Sequence, residues 1–202
     1  KQRTTYKSLY DNAEIVFATP PLLNRLMQRN NIDAAINFWH YNARLSANGY
    51  KVLVSVPQML AELGITGKVP LLGWVFDQEW ATQQSQKLTS FLQASDEAKQ
   101  ILLLCDDEWQ RIRSLTKAEN DSVFMALKNG YRARSLHEFG HEEIKASKQI
   151  FAILAQQVGR DLVGKATTLA KQTFWQRAKN KHGFSKKPAD NTSSLQRICP
   201  LK

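Results

Sequence analysis

Along this chain, apolar residues first come in short unbroken runs and later in a spaced stripe. AEIVFA (13–18) is a β-prone run that stops at Thr19-Pro20-Pro21. LLNRLMQRN (22–30) then takes up helical spacing, with Leu22, Leu23, Leu26 and Met27 on one face. Thr19 suits an N-cap there, and proline suits a first helical turn. NIDAAINFW (31–39), mostly apolar between polar flanks, predicts a buried strand. HYNARLSANG (40–49) predicts a helix ending at Gly49, YKVLVSV (50–56) another strand, and VPLLGWVF (69–76) a further one.

From about residue 77 the pattern turns helical. Leu88, Phe91, Leu92, Ser95, Ala98, Ile101 and Leu102 recur near every third or fourth position. DDEWQRIRSL (106–115) opens with acids, as the helix dipole prefers. ENDSVFMALKNGYRA (119–133) brings Val123, Leu127 and Tyr131 into register, and EEIKASKQIFAILAQQV (142–158) forms a last helix stopped by Gly159. The order is β-α-β-α-β-β, then a helical block, then a tail. Strand–helix alternation of this kind predicts an α/β layered fold.

Composition narrows the picture only a little. The 202 residues suffice for one good core or one part of a larger architecture. Hydrophobic residues at 43% and charged residues at 23% are an ordinary globular balance. No apolar run approaches the roughly 20 residues that span a bilayer, so the chain as given reads as soluble. It begins KQRTTYKSLY, without an initiator Met or a signal segment, and reads as the middle of something. Cys105 and Cys199 make one pair at most, neither a disulfide scaffold nor a thiolate metal site.

The formal charge of +10 raises the question of nucleic acid. Residues 177–202 hold seven basic residues against Asp190, a net +6, which leaves +4 on the body. The excess therefore belongs to a Ser/Asn/Pro/Lys tail that is expected to be disordered. The five tryptophans are scattered and form no aromatic-and-basic strip of the kind single-strand binders use. No nucleic-acid partner is expected. A polyanion-binding role for the tail stays open as an alternative.

One motif carries chemistry by its spacing. HEFGH (137–141) fits H-E-x-x-H, in which a helix presents two zinc ligands and a glutamate base. A zinc hydrolase built on His137, Glu138 and His141 needs a third ligand and both histidines on one helical face. No G-x-x-H follows His141, and beyond Glu143 the remaining acids are Asp161 and Asp190. The spacing instead predicts a junction at Phe139-Gly140, with His137 in the connection and His141 in an acidic first turn. The zinc hydrolase is kept as an alternative function. No cofactor is expected under the preferred one. Nucleophilic catalysis has no support, since there is no G-x-S-x-G and no cysteine in a suggestive setting.

ATPPLLNRL, IDAAINFWHYNARL and LLGWVF, in that order, resemble the periplasmic solute-binding proteins of ABC importers. The likeness is to the nitrate/sulfonate/taurine type, related to thiamine-precursor-binding proteins. FLQASDEAKQIL, DDEW, NGYRA and QIFAILAQQVGRDLVG continue the likeness, which covers roughly residues 10 to 175. The resemblance implies part of a type II periplasmic-binding-protein fold, two α/β lobes, here lacking the first half of lobe 1. Residues 1–45 would belong to lobe 2, residues 46–175 to the hinge and the return to lobe 1 with its closing helices, and residues 176–202 to the tail. It implies a periplasmic protein, not an enzyme, that delivers a small solute to an ABC permease in the inner membrane.

An inter-lobe cleft binds its ligand at strand C-termini and helix N-termini. Thr19 and Pro20 occupy such a place, and its positive dipole end suits a sulfonate, carboxylate or phosphate. The Thr19 hydroxyl caps its own helix or donates to ligand, capping being the plainer reading. Asn37, Phe38, Trp39, His40 and Tyr41 follow a predicted strand at its C-terminal end: Trp39 offers a flat wall and Asn37 and His40 directional hydrogen bonds, or else the group is an aromatic plug for the corner. Trp74 is the remaining candidate, either ligand contact or core. The expected ligand is a small anionic or heteroaromatic solute.

Overall fold

The computed structural model describes residues 11–66, 68–135, 139–175 and Cys199. Among the described residues there are ten α-helices and no strand. The first five are α1 (Pro20–Gln28), α2 (Trp39–Ala47), α3 (Val56–Glu62), α4 (Gln78–Gln83) and α5 (Ser85–Leu104). Then come α6 (Asp106–Arg111), α7 (Arg113–Thr116), α8 (Asp121–Arg134), α9 (His141–Gln157) and α10 (Arg160–Val163). The expected α/β fold is overturned: the fold is helical, and among the described residues there is no sheet on which to build α/β lobes.

The failure is physical and local. Strand propensity expresses packing against cross-strand neighbours, and a strand without a neighbour has no ladder to join. Apart from Trp39 and Val56, which open α2 and α3, the four β-prone runs stay irregular, and several of their apolar side chains face outward. Phe17 is 83% exposed, Ile36 89%, Leu53 82% and Val75 96%. The helices need no such partner, because their hydrogen bonds close within the segment.

The chain divides into two compact units. The first comprises residues 1–51 and 119–130, and the second residues 52–118 and 131–202. In the first, α1 and α2 pack against each other, and Met27, Leu45, Val123, Phe124 and Leu127 are buried. The α1 stripe differs from the expected one: Asn24 turns inward and Leu22 outward. Tyr50 ties the end of α1, its hydroxyl donating to the Met27 carbonyl at 3.0 Å. Arg44 forms an ion pair with Glu119. Gly49, at φ +88°, supplies the left-handed turn that releases the chain from α2.

In the second unit Leu60 of α3, Ile65 and Ala146 of α9 form a small core, flanked by Val69, Ile150 and Ile153. Ser55 and Gln58 make a capping box at the start of α3, with Pro57 in its first turn. Asp77 caps α4 by accepting from Trp80 N–H at 2.8 Å. α5, α8 and α9 match the predicted helical stripes, while DDEWQRIRSL breaks at Ile112 into α6 and α7. Trp109 is buried and its indole donates to the Leu102 carbonyl at 2.6 Å. Arg132 reaches the same carbonyl at 3.2 Å and pairs with Asp106 at 2.7 Å. Cys105 is disulfide-bonded to Cys199 across 94 positions of sequence.

Candidate functional site

The corner where α1 and α2 begin is built around Asn37. Its amide donates to the Pro20 carbonyl and to Asn24 Oδ1, each at 3.0 Å. Its side-chain oxygen accepts from Phe38 N–H at 2.9 Å, and its carbonyl accepts from the Asn42 amide at 3.0 Å. Asn24, buried, passes the network on by donating to the Tyr41 carbonyl at 3.0 Å. Both donors of the Asn37 amide are thus engaged within the protein, so Asn37 acts as a clip that holds two helix starts side by side.

Thr19 is the N-cap residue of α1 by backbone geometry, but its side chain makes no capping bond. Its carbonyl accepts from Leu23 N–H at 2.9 Å. Pro20 and Pro21 carry no N–H, so Leu22 is the first residue of α1 with a donor to offer. The two prolines that suit a helix start thereby strip it of most of its anion-binding capacity. α2 is better provided. Its first intrahelical bonds run from Tyr41 and Asn42 to the Phe38 carbonyl, leaving the Trp39 and His40 amides ahead of them.

Four consecutive rings surround this second start. His40 lies 4.5 Å from Tyr41, 5.6 Å edge-on from Trp39 and 6.1 Å from Phe38, measured between centroids. Burial, and then the positive charge of Arg44 one turn later, lower the His40 pKa below its ordinary value. Its imidazole is therefore neutral at pH 7, presenting one donor and one acceptor.

Trp74 sits elsewhere, in the second unit. It is 62% exposed, so it is not core; its indole N–H donates to Ser95 Oγ at 3.0 Å and its ring meets Phe91 edge-on at 5.0 Å. Of the six predicted ligand contacts, the structure joins Pro20 to Asn37 and keeps Trp39 and His40 beside them. Asn24 and Arg44 belong to that corner as well, outside the predicted set. Asn24 had a signal, a lone amide within the apolar stripe LLNRLM.

His141 is the first residue of α9 and is exposed, as the junction at Phe139-Gly140 predicts. The Glu143 carboxylate is taken up by Gly140 N–H at 2.9 Å. His137 and Glu138 lie outside the described residues, as does the basic tail apart from Cys199. Among the described residues no group of three or more His, Cys, Asp or Glu side chains is placed to hold a metal ion. None of the described helices is long and apolar enough to cross a membrane.

No family model matches this chain, and no curated protein matches it. The likeness to importer solute-binding proteins rests on the quoted segments alone.

Proposed function

We propose that this chain binds a small anionic or heteroaromatic solute for an ABC importer and is not a catalyst. The proposal keeps the solute-binding role and drops the two-lobed α/β architecture. One observation carries it: a neutral, half-buried His40, ringed by Phe38, Trp39 and Tyr41, stands at a helix start whose leading amides are its own and that of Trp39. Rings and a neutral imidazole suit a flat solute, and leading helix amides suit an anionic group on it. The Cys105–Cys199 disulfide supports an oxidising compartment such as the periplasm.

Titration calorimetry with taurine, nitrate and a hydroxymethylpyrimidine tests the reading. Saturable binding of one of them is expected, weakened about fivefold or more in His40→Ala, the loss of one good hydrogen bond. Absence of binding by all three, or full affinity in His40→Ala, overturns it.

A further inference from the structure

The apolar stripe of α5 contains one polar residue, Ser95, and the second unit explains it. Ser95 Oγ accepts the Trp74 indole N–H at 3.0 Å, and Phe91, one turn earlier, meets the same indole at an interplanar angle of 73°. These two contacts fix the plane of a ring that remains 62% exposed. Trp109 provides the contrast: its N–H is also satisfied, but its ring is buried. Trp74 is therefore an oriented aromatic face with solvent, not protein, against most of it.

Under that face runs an open groove of about 370 Å³. Its floor is the α5 face carrying Phe91, Ser95, Lys99 and Leu102, and Tyr131 of α8 closes one side. Ala94 and Ala98, also in the lining, keep the floor low. Ligand sites typically combine mostly apolar walls with a few polar groups, and this groove has both while staying open to solvent. Here the polar residues of the lining are Ser95, Tyr131 and Lys99. Among the described residues of the lining Lys99 is the charged one, and its ammonium pairs with Asp96 at 3.8 Å. A guest in the groove thus meets a cation that Asp96 partly offsets.

We infer that the Trp74 groove is a binding site for a flat aromatic acid, its ring against the indole and its anionic group toward Lys99. Ring stacking selects flatness, since an aromatic guest gains an offset or edge contact that a saturated ring of equal size does not. Lys99 selects the sign of the charge, modestly, because Asp96 and solvent screen it. The site uses no residue of the Phe38–Tyr41 corner and stands or falls independently of the solute proposed there.

Benzoate, cyclohexanecarboxylate and benzylamine separate the two selections, with proton–nitrogen NMR of the five indole N–H groups of the full chain as the readout. Benzoate is expected to move the Trp74 indole resonance saturably while that of Trp109 stays put. Cyclohexanecarboxylate, equal in charge, is expected to bind about threefold or more weakly, and so is benzylamine. In Lys99→Gln the preference for benzoate over benzylamine disappears while the preference for the flat ring remains. Trp74→Leu, at an exposed position, keeps its circular dichroism and loses the benzoate response, read in that variant from the backbone amide of Ser95 in the groove lining. Equal binding of benzoate and cyclohexanecarboxylate overturns the inference, as does a shift that never saturates. A folded Trp74→Leu protein with undiminished benzoate affinity also overturns it. Retention of the benzoate response in His40→Ala separates this site from the first one.

Discussion

Asn37 holds three partners with one side chain, and its bonds to Pro20 and Asn24 are partly buried. Asn37→Ala is expected to destabilise the first unit by about 1–3 kcal/mol, the usual cost of unsatisfied, partly buried polar groups. Asn37→Asp keeps the acceptor for Phe38 N–H but sets a carboxylate against two oxygens. Its melting temperature should fall below that of Asn37→Ala at pH 7, and the gap should narrow once acid protonates the carboxylate. Equal melting temperatures for all three proteins would contradict the clip.

His40 gives the same corner a pH dependence. Its folded pKa is lowered, by burial first and by Arg44 second, relative to about 6.5 in the unfolded chain. The folded state then binds fewer protons than the unfolded state in that window, so stability rises with pH there. The contribution is complete above the unfolded value and is lost as pH falls through the folded one. Denaturant midpoints between pH 7 and pH 5 should drop in the parent protein and drop less in His40→Gln. Parallel curves would remove His40 from the account.

At the scale of elements, helices were legible and strands were not, for one reason. A helix satisfies its backbone from within, so the stripes Leu88 to Leu102 and Val123 to Tyr131 announced α5 and α8 directly. KVLVSV and VPLLGWVF have β-prone composition, but composition names no neighbour, and none appears among the described residues. The same bias hid α3: its start was read as the end of a strand, although Ser55, Pro57 and Gln58 spell a capping box. In the site, Asn37 and His40 were legible as polar residues, but as ones that follow a strand; no strand appears there among the described residues, and the two stand at the start of α2 instead. The exposure of Trp74 was not, because an unbroken apolar run reads as buried.

Those exposed runs make a prediction of their own. Leu72 is 91% exposed and Val75 96%, so a lysine at either place removes little burial. Leu72→Lys and Val75→Lys are each expected to change stability by no more than about 0.5 kcal/mol. Both should reduce self-association in sedimentation experiments, since long apolar extended segments invite edge-to-edge pairing. Unchanged sedimentation would show that these segments do not associate.

On the scale of the whole molecule, two units each carry their own core, and one covalent link ties Cys199 back to the start of α6. A loop of this length stabilises the second unit chiefly by restricting its unfolded chain, by up to about 4–5 kcal/mol. Reductant, or Cys105→Ser, should lower the melting temperature of the second unit and leave Asn37-dependent stability in the first unit intact. A melting profile indifferent to reductant would exclude a structural role for the bond.

The placing of that bond also sets a clock on biosynthesis. Cys105 leaves the ribosome 94 residues ahead of its partner. At ordinary translation rates it waits on the order of ten seconds as a lone thiol. Through that interval the half-made chain is open to mixed disulfides with oxidoreductases and with its own siblings. Oxidation to the native pair thus happens only after Cys199 has been made, and the fraction of chains oxidised reports how many reached that point.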